Sequence, residues 1–289
     1  MRSIRVIIFT FLPICSIDLC AQNISRELSF AKYLQAKKNY DESIFVLNKI
    51  KKTRSVTQLQ RDSVHFLLGN IFYNQKSLEK SNQNFDSVSA ISHRLRAEAV
   101  FFSSFNSAYL KSFEISRQKL LSYTPADSTE QQVRQLELSG ISLLQRDLKK
   151  FDSLSQFFSP VNYILDKHEE KMREHYNRIV DQPKKSPLIA AGLSAILPGA
   201  GKFYAGNKGQ GMYTLLISAV LGLQAWEGYR KDGPASFRFI AYGTIFTSIY
   251  IGTIWGSVFT VKIKRDQLNE TINDQILFDM HVPLRTVFH

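Results

Sequence analysis

Two patterns of apolar and polar positions divide this chain. From Asn23 to about Asp181, apolar residues recur every three or four positions among charged and amide residues. That is the period of helices packed on one face. From Pro187 onward the pattern changes to long uncharged runs, Gly209–Trp226 over 18 residues and Phe239–Val261 over 23. A bilayer-spanning helix needs about 20 apolar residues, so the second region reads as membrane helices. The expected fold class is all-α: a helical domain over 22–181, a linker at 182–186, a membrane domain over 187–261 and a polar tail at 262–289. Within the membrane domain the approximate helices are 187–201, 209–229 and 236–261. The linker holds Pro183 with Pro187 just after it, and paired prolines stop a helix. Arg265–Ile276 suits a short amphipathic helix, and Phe278–Phe288 has no assignable pattern.

The first region carries a weak internal repeat. Its best unit is Phe66–Phe72 followed by Leu78, Ser81, Phe85 and Val88. Gly69 lets two helices approach, Phe72 and Phe85 fill the space between them, and Ser81 repeats the close contact on the second helix. An earlier unit fits with Ala31, Leu34, Tyr40, Ser43 and Leu47. Later units are anchored at Ser104 and at Gly140, the last with its second helix displaced by about one residue. This spacing resembles the tetratricopeptide repeat. The resemblance implies paired antiparallel helices with a concave surface for a protein partner. Asp-Ser before an apolar residue recurs at Asp62, Asp86 and Asp152, and helix-start capping is the favoured reading over a modification signal.

In the second region, small residues mark expected helix contacts. Ser218 and Gly222 lie on the middle helix, and Ser248, Gly252 and Gly256 on the last, each at four-residue spacing. The loop Pro198–Gly211 holds Gly199, Gly201, Lys202, Phe203, Tyr204, Gly206, Gly209 and Gly211. It is not a phosphate-binding loop of the nucleotide kind. Ile196 stands where the first glycine belongs, and Phe203 stands where Ser or Thr should follow the lysine. The expected structure is an interfacial turn with Lys202 and Lys208 toward lipid headgroups. Its Pro-Gly-x-Gly and Phe-Tyr-x-Gly pattern resembles small two-transmembrane hairpin domains of bacterial envelopes. The resemblance implies membrane anchoring without established catalysis; here a further helix follows the hairpin.

Composition narrows the functional classes. Arg2 and Arg5, the apolar run Val6–Ile14 and Leu19-Cys20-Ala21 form an expected signal peptide, 1–21. Both cysteines, Cys15 and Cys20, fall inside it, so the mature chain is expected to hold no disulfide or thiolate metal site. The formal charge of +12 is spread out: residues 22–182 hold 24 Lys+Arg against 18 Asp+Glu without a dense basic block, which argues against nucleic acid. His168 and His175 sit on a charged stretch and are expected in solvent. His168-Glu169-Glu170-Lys171-Met172 fails as a zinc motif because the second histidine is Met172. No catalytic, cofactor or metal site is expected. The expectation is a non-enzymatic scaffold, multi-pass in a bacterial inner membrane, with exported repeats that bind an envelope protein and contacts to membrane lipids. Three crossings would put Lys262, Lys264 and Arg265 in the cytoplasm. The alternative is a regulatory or structural component of a transport or lipid-handling system.

Overall fold

The computed structural model describes residues 16–159 and 162–288, with side chains from Ile24 onward. The expected signal segment lies outside that description apart from the backbone of 16–21. Among the described residues there are helices and no strands. In chain order the first eight helices are α1 (Ser16–Ala36), α2 (Tyr40–Lys52), α3 (Gln58–Asn74), α4 (Leu78–Asp86), α5 (His93–Tyr109), α6 (Phe113–Ser122), α7 (Ser128–Leu144) and α8 (Leu148–Ser155). Then follow α9 (Tyr163–Val180), α10 (Pro187–Ile196), α11 (Ala200–Ala205), α12 (Lys208–Asp232) and α13 (Phe237–Phe288). The chain divides into two compact units, one of residues 1–174 with 276–289 and one of residues 175–275. The boundaries fall inside α9 and α13, so the unit of the first helices also owns the C-terminal segment.

The first unit is a run of helical hairpins, α1 on α2, α3 on α4, α5 on α6 and α7 on α8. Their four turns are one structure used four times. Lys38, Lys76, Lys111 and Arg146 each adopt the left-handed conformation, with φ between 60° and 63°. The next residue then donates its N–H back to the carbonyl five positions earlier: Asn39 to Leu34, Ser77 to Phe72, Ser112 to Ser107, Asp147 to Ser142. This is the six-to-one bond that closes a helix C-terminus. A left-handed non-glycine residue costs about 1 kcal/mol or more. Its basic side chain at a helix C-terminus recovers part of that.

The turns set the frame of the close contacts. Seven residues before them stand Ala31, Gly69, Ser104 and Ser139; five residues after stand Ser43, Ser81, Ser116 and Phe151. Ser43 Oγ donates to the Ala31 carbonyl and Ser81 Oγ to the Gly69 carbonyl, both at 2.9 Å, and Ser116 Oγ donates to the Ser104 carbonyl at 2.8 Å. A Cβ on Gly69 would lie 2.5 Å from the Phe85 ring. Leu34 and Phe85 are buried, and Phe72 packs at the edge of the first core cluster. The fourth anchor is therefore Ser139, not Gly140, and the frame is regular. Gly140 faces elsewhere, as shown below.

The Asp-Ser pairs do not cap helix starts. Ser63, Ser87 and Ser153 each donate to the carbonyl four residues back. Asp62 lies inside α3, where its carboxylate accepts from Gln58 Nε2, the Ser89 N–H and the hydroxyls of Ser89 and Ser92. Burial raises its pKa, but these four hydrogen bonds outweigh burial and hold it below the usual carboxylate value. It ties α3 to the connection between α4 and α5.

The second unit reverses the usual distribution. Most of its buried positions are small or hydroxylated, Ala190, Ser194, Gly201, Ala205, Gly211, Thr214, Ser218, Thr253 and Ser257 among them, with Val261 and Ile272 as apolar exceptions. Its large apolar side chains, including Leu188, Ile196, Leu216, Leu223, Trp226 and Trp255, are exposed. α13 is long and apolar enough to cross a membrane. At 1.5 Å per residue its 52 residues span roughly 78 Å, far more than the ~30 Å of a bilayer core. The helix does not stop at Val261 as expected. No Gly or Pro interrupts it from 257 to 282, and Pro283 lies inside it. The expected tail at 262–289 is thus helical through 288.

Candidate functional site

The end of α13 packs against α3, α5, α7 and the start of α9. The sequence signal was an apolar residue every fourth position, Ile276, Met280 and Leu284, all buried. Met280 fills the space opened by Gly140: a Cβ there would sit 2.5 Å from the Met280 sulfur. This explains a glycine one residue out of the repeat frame. His281 stacks on Phe105 with centroids 4.9 Å apart and pairs through Nε2 with the Tyr73 hydroxyl. Phe288 packs on Phe101 at 5.2 Å, and Tyr73 meets Phe102 edge-on.

A buried polar contact fixes the register. Asp279 is 4% exposed, and its Oδ1 accepts from Lys171 Nζ at 3.0 Å and lies 3.2 Å from His168 Nδ1. A hydrogen-bonded, paired carboxylate is tolerable inside a protein where a lone one is not. His168 and His175 are therefore buried, not in solvent, because α9 is a packed helix. Each buried Ile, Met or Leu of the segment contributes about 1.5–3 kcal/mol of apolar burial, and the carboxylate adds orientation.

Acidic groups of the first unit depart from ordinary titration. Burial raises Glu98 to about 7, against the opposing charge of Arg94. Burial likewise raises Glu169 to about 7, partly offset by the Ser159 N–H that it accepts at 3.0 Å. Glu137 on α7 is fully buried, and burial pushes its carboxyl well above the usual range. Tyr73 is pushed up to about 12 by burial.

In the second unit, the hairpin residues come together as a folded corner. Pro198 and Gly199 (φ +90°) end α10 short of the expected 187–201 helix, and the chain re-enters helix at α11. Gly201 is the tightest point, since a Cβ there would lie 2.0 Å from the Ala190 carbonyl oxygen. Its N–H donates to Ser194 Oγ at 3.0 Å, and that hydroxyl pairs with Ser257 Oγ at 2.5 Å. Gly206 closes α11 at φ +90°, and Gly211 lies under the Phe203 ring. Tyr204 accepts from the Ser186 N–H at 3.1 Å, while Gly209 has open space around it.

Lys202 does not point to headgroups as expected. Its Nζ donates to Thr214 Oγ1 at 2.9 Å, and its stem lies 3.6 Å from the Cβ position of Gly256. Lys208 is exposed. Ser218 is buried, and Gly222 lies by the Phe246 ring. The stripe expected on the last helix is shifted: Ser248 and Gly252 are exposed, and Thr253, Ser257 and Thr260 face inward instead. Threonine and serine serve there because their hydroxyls bond back to the helix carbonyls, as Ser257 does to Thr253. Among the described residues no cluster of three or more metal-ligating side chains occurs. Comparison of the chain with protein-family models, with curated proteins and with solved structures finds no match.

Proposed function

We propose that this chain is a membrane-anchored scaffold of a bacterial envelope whose tetratricopeptide-like groove grips an amphipathic helix. The observation that carries the reading is the seat of residues 276–288. A groove that holds one helix by a buried methionine, a stacked imidazole and a paired carboxylate has the chemistry to hold a partner helix of the same pattern. In the chain alone, its own C-terminal segment fills that role. The reading is of a binding protein rather than an enzyme.

The anchor rests on the reversed second unit. Large side chains that face outward are costly in water and favourable in lipid, where small residues and hydroxyls pack helices together. α10, ten residues long, covers about 15 Å and does not reach across a ~30 Å core. Among the described residues α13 alone is long and apolar enough to cross by itself; the reading takes α12, with its uncharged run of 18 residues, as a second crossing. The contacts of 276–288 with the repeat helices require both to lie on one side of the membrane, so the number of crossings between them is even. The proposal therefore takes two crossings where the sequence reading takes three. With the expected signal segment, the common side is the periplasm and the anchor an inner-membrane hairpin.

Photo-crosslinking in cells tests the scaffold. A crosslinker at Phe105 should capture the chain's own 276–288 segment. Leu284→Asp should loosen that segment and raise capture of a second protein several-fold. Equal capture with and without Leu284→Asp removes the groove as the partner site. A regulatory or structural part in lipid handling is the second reading, and the basic cavity of the second unit favours it.

A further inference from the structure

A cavity in the second unit lies between the 182–186 linker, the end of α11 and the stretch of α13 just past its last inward apolar residue. It is lined by Lys185, Lys264 and Arg265, by the buried Ala205 and Val261 and by the partly exposed Leu268. No carboxylate lines it. Asp266 lies 4.0 Å from Arg265 Nε and does not line the cavity. Lys185 is held in place: its Nζ lies 5.8 Å from the centroid of the Tyr204 ring and 3.6 Å from the Cβ position of Gly206, and the next residue's N–H is bonded to the Tyr204 hydroxyl.

Three cations gathered beside apolar side chains repel one another unless an anion joins them. Val261 is the last residue of the uncharged run, so the cavity stands where a bilayer core gives way to headgroups. Two crossings and an exported repeat domain put these cations on the side where the positive-inside bias disfavours them. A bound anion removes that penalty. A phosphate meets the cations, and the glycerol and first methylenes of a lipid meet the apolar side chains.

We propose that this cavity binds a phosphate group, supplied by an anionic phospholipid. The inference rests on the membrane reading of the second unit, and one experiment separates the two. The full chain is placed in nanodiscs of equal phosphatidylcholine and phosphatidylglycerol, released, and its retained lipids are counted by native mass spectrometry. Phosphatidylglycerol should be enriched roughly tenfold. Lys185→Gln with Lys264→Gln and Arg265→Gln should abolish the enrichment, while Arg230→Gln with Lys231→Gln should leave it. Equal retention of both lipids, or equal loss in both variants, overturns the proposal. Stripping of the lipid by inorganic phosphate at matched concentration keeps the phosphate site and rejects lipid as its source. Alkaline carbonate extraction of the wild-type chain from membranes overturns the membrane reading itself, whereas an integral chain without lipid preference overturns only the cavity's role.

Discussion

The two units bury opposite kinds of residue. In the first, large apolar side chains such as Phe85, Phe101, Ile141 and Leu143 are inside, beside a few buried acids; in the second, Ser194, Ser257, Gly201 and Thr214 are inside and Leu216, Leu223 and Trp226 outside. Both are all helix, so the difference is not one of secondary structure. On the proposed membrane reading it reflects the solvent each surface meets. Water rewards apolar burial at about 25 cal/mol per Å², but lipid gives no such reward, and helices there are joined by close approach and hydroxyl bonding.

The sharpest way to break that comparison is one substitution made in each unit. Leu143→Asp should unfold the repeats, a loss above about 4 kcal/mol, because it buries an unpaired carboxylate. Leu216→Asp alters a side chain that is 58% exposed. A water-facing site would absorb it within about 0.5 kcal/mol. A lipid-facing one should lose about 2.5–3.5 kcal/mol of insertion free energy, read as the fraction resistant to carbonate extraction. Wild-type integration of Leu216→Asp would end the contrast.

A smaller effect tests how the second unit is packed. Gly201→Leu meets the Ala190 backbone, which has little room to move, and should cost about 1–3 kcal/mol in detergent. Gly252→Leu meets nothing and should stay within about 0.5 kcal/mol. Equal thermal stability of the two variants would return the packing role to the Ser248–Gly252–Gly256 stripe.

A pH dependence confined to the first unit tests its buried acids. Glu98 and Glu169 titrate near 7, and Glu137 is shifted upward as well, all by burial. Between the unfolded carboxyl value near 4.5 and about 7, the folded unit holds more protons than the unfolded chain. The stability these groups provide is therefore full below about 4.5 and lost as pH rises through 7. Urea midpoints of the full chain, followed by a probe in the repeats, should fall from pH 5 to pH 8. Glu98→Gln should flatten part of that slope. A midpoint that rises over the same interval would contradict the buried-acid assignment.

Much of the first unit was legible beforehand because its period is local. Ala31, Gly69 and Ser104 stand at anchors that a 35–38-residue spacing reveals, since each hairpin repeats the same turn. Gly140 was misread because its partner lies 140 residues away: the glycine serves Met280, and no local pattern shows that. The same holds for Asp279, whose partners His168 and Lys171 are more than 100 residues back. In the hairpin, Gly199, Gly201 and Gly206 were identifiable because φ near +90° and close backbone approach are demands that glycine meets most readily. The helix face of α13 was harder. A run rich in Gly, Ser and Thr offers two neighbouring small-residue stripes, and only packing chooses between them.

The sequence by itself determined the all-helical class, the change to long uncharged runs at the linker and the hairpin corner, because periodicity, uncharged length and glycine stereochemistry act within a few turns of chain. Tertiary structure alone decided that α13 continues past Val261, that its end packs on α3, α5 and α7, and that Asp279 meets His168 and Met280 meets Gly140. Those outcomes depend on surfaces far apart in the chain meeting with complementary shape and charge, which no one stretch of sequence encodes.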